Sequence, residues 1–135
     1  MTTERVLILG AAGRDFHVFL SFLKGNDTFR VKAFTATQIP EIAGRRYPPS
    51  LAGEGYPQGI PIMDEAGLEA LCRELQVDEV VFAYSDVGHA WVMHRASIAL
   101  AAGADFVLLG PKRTMLKAHV PVIATSAVRT GCGKS

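Results

Sequence analysis

Cysteine is scarce. The chain has two, Cys72 and Cys132, and they make neither a metal-ligand pattern nor a disulfide framework. A reducing, cytoplasmic setting is the plain expectation. Charge of one sign is also missing. Fourteen Lys and Arg against thirteen Asp and Glu leave a formal net charge of +1, so bulk electrostatics imply no nucleic acid and no acidic membrane as partner. No apolar run is long and uninterrupted enough to span a bilayer. The first residues, Met1-Thr2-Thr3-Glu4-Arg5, run into a short strand-like segment and do not have the shape of a signal peptide. Internal repeats and low-complexity tracts are lacking. What is there is an ordinary globular composition, 49% hydrophobic and 20% charged over 135 residues, enough for one domain with a real core.

Strand-like and helix-like patterns alternate along the chain. Arg5-Val-Leu-Ile-Leu9 is apolar and rich in branched side chains, and Gly10-Ala-Ala-Gly13 ends it. That predicts a parallel strand buried on both faces, followed by a tight turn. Residues 14–24 carry Phe16, Phe19, Leu20 and Leu23 at helical spacing, and Gly25-Asn26-Asp27 stops the helix. Residues 30–35 read as a second strand, completing a βαβ unit.

Residues 36–61 hold Pro40, Pro48, Pro49, Pro57 and Pro61 and predict mostly loop, anchored by Ile39, Ile42, Tyr47, Leu51 and Tyr56. A short strand over residues 60–62 closes it. Residues 64–75 form an amphipathic helix with Asp64 as N-cap and Leu68, Leu71, Cys72 and Leu75 on one face. Further strands are expected over residues 78–83, 104–109 and 121–125. A helix over residues 88–102 has His89, Met93, Ala96 and Leu100 at helical spacing and Gly103 as its stop. A turn or short helix covers residues 112–119. The expected fold is therefore α/β: a Rossmann-like, doubly wound, mostly parallel sheet of about six strands with helices on both faces.

In such sheets ligands bind beyond the carboxyl ends of the strands, and that rule selects the candidate site. Gly10 and Gly13 at a strand-to-helix turn let backbone approach a phosphate, with Arg14, Asp15 and His17 beside them. For His17 alone, a satisfied structural histidine is the better reading. The full G-x-G-x-x-G spacing is lacking. So is the acidic residue that holds a ribose at the end of the second strand, where Thr35-Ala-Thr37 stands. A nicotinamide dinucleotide is disfavoured on both counts.

Arg45 and Arg46 lie in a proline-stiffened loop and suit bidentate recognition of phosphate or carboxylate; on charge pattern alone they are two solvated arginines. Ser85 and Asp86 follow a strand and serve either a ligand or a helix cap. His89 is an acid/base candidate in the next helical turn. Lys112, after Gly110-Pro111, is placed for an anion and reads equally as an exposed lysine.

The last stretch has the strongest local signal. Pro121 to Thr125 leads into Arg129-Thr130-Gly131-Cys132-Gly133-Lys134-Ser135. A strand followed by Gly-x-Gly-Lys-Ser is the chemistry of a phosphate-binding loop. Backbone N–H groups wrap the phosphates of ATP or GTP, Lys134 carries a point charge and is the catalytic candidate, and the Ser135 hydroxyl ligates Mg²⁺. The motif lacks its first glycine, since position 128 is Val128. These residues divide the chain into a Rossmann-like domain over residues 1–120 and, over residues 121–135, a strand and the start of a P-loop NTPase domain whose helix lies past Ser135.

Read in order, several strings resemble the N-terminal part of cyclic 2,3-diphosphoglycerate synthetase and its relatives described as GTPases. They are Ile8-Leu-Gly-Ala-Ala-Gly-Arg-Asp-Phe-His17, Ala33-Phe-Thr-Ala-Thr-Gln-Ile-Pro40, Ala43-Gly-Arg-Arg-Tyr-Pro-Pro49, Val81-Phe-Ala-Tyr-Ser-Asp86, Leu108-Leu-Gly-Pro-Lys112 and Ala127-Val-Arg-Thr-Gly-Cys-Gly-Lys-Ser135. The resemblance implies an NTP-dependent, ligase-like enzyme that activates a phosphate of 2,3-diphosphoglycerate and closes an intramolecular phosphoanhydride. A small phosphorylated, anionic substrate suits Arg14, Arg45, Arg46 and Lys112. Phosphoryl transfer is mainly positioning and charge stabilisation, and no covalent nucleophile stands out. Two rival classes stay open: a non-catalytic nucleotide-, CoA- or dinucleotide-binding regulatory module, and a P-loop GTPase fragment. A homodimer is compatible with either.

Overall fold

In a computed structural model, residues 2–10, 13–37, 44–84, 87–127 and 133 are described. The elements run β1 (Glu4–Leu9), α1 (Arg14–Val18, continued by a π-helical turn over Phe19–Leu23), β2 (Phe29–Ala36), β3 (Arg46–Tyr47), α2 (Pro49–Ala52), β4 (Ile60–Asp64), a 3₁₀ turn (Glu65–Gly67) leading into α3 (Leu68–Glu74), β5 (Glu79–Phe82), α4 (His89–Ala101), β6 (Asp105–Leu108) and α5 (Pro111–Thr114).

The strand order is β3-β4-β2-β1-β5-β6. All neighbours are parallel except β3, which pairs antiparallel with β4. From β1 the chain winds outwards through β2 to β4, then crosses back to β5 on the other side of β1. That reversal makes the sheet doubly wound and puts the switch point between the carboxyl ends of β1 and β5.

Central strand β1 shows why. Val6, Leu7, Ile8 and Leu9 are all fully buried, as a parallel strand covered on both faces requires. Their side chains alternate. Val6 and Ile8 join a cluster with Val18, Phe19 and Leu23 of the first helix, whereas Leu7 and Leu9 join one with Leu68 and Cys72 of α3 and Ala99 of α4. The first cluster is aromatic: Phe19 meets Phe34, Tyr47 and Tyr56 edge to face with centroids 5.6–5.9 Å apart. Each such buried side chain contributes roughly 1.5–3 kcal/mol relative to exposure.

Several local expectations hold in detail. The Asp64 carboxylate accepts from the Ala66 N–H at 2.9 Å, capping the turn into α3. Gly103, at φ +88°, ends α4; its N–H bonds to Leu100 O and that of Ala104 to Ala99 O, the paired pattern of a left-handed helix stop. Gln76 does the same for α3 at φ +50°.

Two expectations fail. The stripe through Met93 and Leu100 does not face the core: these residues are 63% and 59% exposed, and α4 packs through Ala96 and Ala99. The helix is apolar on most sides, so spacing alone left its inward face open, and only small residues allow it close to the sheet. The second failure is the strand over residues 121–125. Residues 121–127 form no regular element, and Val122 and Ile123 are 66% and 101% exposed. They pair with no strand among the described residues, and an extended apolar run without a ladder partner is not a strand. The sixth strand is instead β3, drawn from the stretch expected to be loop. It is held by Arg46 and Tyr47 opposite Pro61 and Ile60.

Candidate functional site

The turn after β1 depends on glycine at one position. Gly10 has φ +124°, and a Cβ there would come within 3.3 Å of the Asp15 side chain. Its N–H bonds to Thr35 O at 3.1 Å. The N–H of Gly13, at the N-cap of α1, donates to Asp15 Oδ1 at 2.6 Å, and Asp15 is 2% exposed. A turn expected to cradle an external anion therefore holds one of the chain's own carboxylates at this donor. The charge of Asp15 is also felt across the first face, where burial and then Asp15 push the Tyr47 phenol above its ordinary value.

On the other face a second carboxylate is buried at the switch point. Glu65, the first residue after β4, is fully buried. Its Oε2 accepts from Thr35 Oγ1 at 2.8 Å and from the Tyr84 hydroxyl at 2.7 Å. Its Oε1 faces Arg95 Nε at 3.1 Å, at ion-pair distance but without hydrogen-bond alignment. Thr35 lies near the end of β2 and Tyr84 just past β5, so Glu65 reaches across the end of β1 and ties both flanking strands to α4. Arg95 in turn lies over the Trp91 ring, 4.7 Å from its centroid, and Trp91 meets Tyr84 edge to face at 5.3 Å. Burial pushes the Tyr84 phenol far above its ordinary value. The hydrogen bond and charge of Glu65 add to this, against an opposing bond from Thr37.

The remaining predicted residues scatter. Arg46 is spent on structure, its guanidinium donating to Gln58 O at 2.6 Å and Gly59 O at 3.4 Å. Arg14, Arg45, His89 and Lys112 are exposed, and their side chains meet no partner among the described residues. His17 is structural, with Nε2 2.6 Å from Thr114 O. That contact docks α5, and Lys112 with it, beside α1. The N-cap of α4 is Gly88 rather than Ser85 or Asp86. Ser85 and Asp86 lie outside the described residues, as do Arg129, Thr130, Gly131, Cys132, Lys134 and Ser135; Gly133 is described, exposed and at φ +90°. Among the described residues no group of His, Cys, Asp and Glu is arranged to hold a metal ion, and no helix is long and apolar enough to cross a membrane.

Sequence reading missed Glu65, Arg95 and Trp91. One signal was available: Arg95 is the only Lys, Arg, Asp or Glu in α4, a helix that is otherwise mostly apolar apart from His89, His94 and Ser97, and a lone charge there calls for a partner.

No family model matches the chain. The chain is 65% identical over 132 residues to arginine synthetase ArcE of Thermococcus kodakarensis, a match covering 98% of this chain and 30% of that protein. It thus spans less than a third of the curated relative. Among solved structures it is similar to RSP, a Rex-family repressor, with TM-score 0.58, 17% identity and coverage of 88% of this chain and 49% of the other. RSP in complex with β-NADH gives TM-score 0.59 at 15% identity over 88% of this chain and 50% of the other. UDP-D-quinovosamine 4-dehydrogenase from Vibrio fischeri gives TM-score 0.61 at 16% identity over 81% and 80%. At such identities the likeness is one of fold. The chain is an α/β, Rossmann-like domain, and a synthetase is its close relative.

Proposed function

We propose that this chain is the N-terminal, substrate-binding domain of an NTP-dependent synthetase. The observation that carries the reading is the 65% identity to arginine synthetase ArcE over nearly the whole chain. In this reading residues 121–135 begin a P-loop domain. Arg129, Thr130, Gly131, Cys132, Gly133, Lys134 and Ser135 hold ATP or GTP, and Ser135 ligates Mg²⁺. The exposed run over residues 121–125 gains its ladder partners from that domain.

The substrate faces the carboxyl edge of the Rossmann-like sheet. Its class follows from the charges there. Asp15 is a buried carboxylate at the switch point and Glu65 is paired with Arg95, so the buried groups there supply no surplus of positive charge for a multiply phosphorylated anion. A substrate of lower charge, of amino-acid type as the relative's name suggests, fits better than the diphosphoglycerate implied by the family resemblance.

Calorimetry on the full-length protein that contains this chain tests the reading. Mg²⁺-dependent ATP or GTP binding is expected, lost in Lys134→Ala. Absence of that binding, or a Lys134→Ala variant indistinguishable from wild type, overturns the synthetase reading. L-arginine against 2,3-diphosphoglycerate as ligand decides between the two substrate classes.

The likeness to RSP in complex with β-NADH supports a second reading, a regulatory dinucleotide-binding module. Against it, the Gly13 N–H is held by Asp15, and Glu65 turns inwards, with Oε2 taken by Thr35 and Tyr84 and Oε1 at ion-pair distance from Arg95, rather than towards a ribose. Tight binding of NADH or CoA without a response to Mg²⁺-ATP or Mg²⁺-GTP would reverse that preference.

A further inference from the structure

We infer that Arg95 is an oxyanion-binding residue of the switch-point crevice, offering a pre-oriented guanidinium fork to the carboxylate of an amino-acid substrate. The inference rests on the synthetase reading for its substrate, but on geometry for the site.

A guanidinium has more than one hydrogen-bonding edge, and five N–H donors in a rigid plane. Here two features hold it and use little of it. Nε faces Glu65 Oε1 at 3.1 Å, and Cζ lies over the Trp91 ring, 4.7 Å from its centroid. The Nη nitrogens take no partner among the described residues, and the side chain keeps 19% of its exposure. Glu65 is itself fixed by Thr35 and Tyr84. The arginine is therefore oriented before any ligand arrives, which removes part of the entropy that binding would otherwise lose.

Two parallel N–H donors match the two oxygens of a carboxylate or of a phosphoryl group. Glu65 does not cancel this. It stands at the Nε side, farther from a ligand on the Nη edge than the guanidinium itself, and Coulomb energy falls with distance. The surroundings are chemically suited: the hydroxyls of Tyr84 and Thr37 lie 3.3 Å apart at the same edge of the sheet, and with the Tyr84 hydrogen given to Glu65 the Thr37 oxygen keeps acceptor capacity for the donors of a small polar ligand.

Trp91 is the only tryptophan of these 135 residues, so the part of the full-length protein's emission that a Trp91→Phe variant loses reports events at Arg95. The full-length protein is titrated with L-arginine, with agmatine (the same molecule without its carboxylate) and with inorganic phosphate. Trp91 fluorescence and calorimetry are read together. L-arginine is expected to shift the emission and to bind at least tenfold more tightly than agmatine. In Arg95→Lys, which keeps the charge but not the fork, that discrimination disappears while the thermal midpoint stays near wild type. Phosphate binding that is lost in Arg95→Lys, with no arginine discrimination, keeps the fork and assigns its oxyanion to a phosphoryl group.

Equal affinity for arginine and agmatine together with no phosphate response in the wild type overturns the inference, whether or not the variant folds. An Arg95→Lys protein that binds as wild type overturns it equally. Mg²⁺-ATP binding, which depends on Lys134, serves as the separate arm. Its loss with the Arg95 effects intact counts against the synthetase reading alone, and its presence without them counts against the fork alone.

Discussion

Replacing Glu65 with Gln removes one charge and almost no volume, so its effect is set by the three groups that face the carboxylate. Oε2 accepts from two hydroxyls at 2.8 and 2.7 Å, and Oε1 faces the Arg95 guanidinium at 3.1 Å. All three neighbours present hydrogens. An amide has one oxygen and one NH₂ group, so in either orientation a donor meets a donor. Breaking a buried pair from one side costs about 3–5 kcal/mol because the remaining charge is left without its partner.

Arg95 keeps 19% exposure and can hydrate in part, which places the expected loss near the lower bound, about 3 kcal/mol. For a domain of this size that corresponds to a fall of roughly 10 °C in Tm. Urea unfolding should show a lower midpoint at unchanged slope. The double variant Glu65→Leu with Arg95→Met should lose clearly less than the sum of its two single variants, because no charge is then stranded. A Glu65→Gln loss below about 1 kcal/mol, or strict additivity in the double variant, would show that the pair is loosely solvated and that the network of Thr35, Glu65, Tyr84 and Arg95 does not organise the crevice.

Two further perturbations probe the scaffold. A Cβ on Gly59, which has φ +72°, would lie 2.2 Å from Tyr47 O. Gly59→Ala should therefore destabilise by about 2 kcal/mol or more, with amide exchange rising first in β3; a near-neutral outcome refutes the assigned turn. At the amino edge of the sheet, burial, then a hydrogen bond to Glu4, then the charges of Glu4, Asp105 and Asp78 push the Glu79 carboxyl up from 4.5 to about 7. The folded state thus holds this proton more tightly than the unfolded chain. Stability is highest below pH 4.5 as far as this group is concerned and declines as pH rises to about 7. Allowing for solvent screening, the decline is on the order of 1–2 kcal/mol. Glu79→Gln should remove this slope and be the more stable protein at pH 8, and a pH profile identical to wild type contradicts the assignment.

The path from sequence to fold was short where local patterns suffice. The apolar run of β1, the Asp64 cap and the Gly103 stop each announce an element through interactions spanning a few residues. β3 was illegible because it has only Arg46 and Tyr47, and it exists as a strand only through pairing with Ile60 and Pro61. Residues 121–125 show the converse, a strand-like pattern with no ladder among the described residues to complete it.

The site divides along the same line. The rule that ligands gather beyond parallel strand ends directed attention to Gly10, Gly13, Asp15 and the residues after β2 and β5. Asp15 was read as an external-ligand residue, and the structure has it satisfy the Gly13 N–H. Glu65 went unnoticed, since nothing within a few residues distinguishes it from any acid in a helix's first turn.

From its own residues, then, the chain determined the alternation of strands and helices, the two-faced burial of β1 and the turns between elements. These depend on periodicity, caps and glycine conformations, which are local. Tertiary structure alone decided that Thr35, Glu65, Tyr84 and Arg95 meet, although Thr35 and Tyr84 lie 30 and 19 positions from Glu65. Whether a carboxylate is solvated or buried is set by what the rest of the chain packs around it. At this switch point, three other segments converge on the Glu65 side chain.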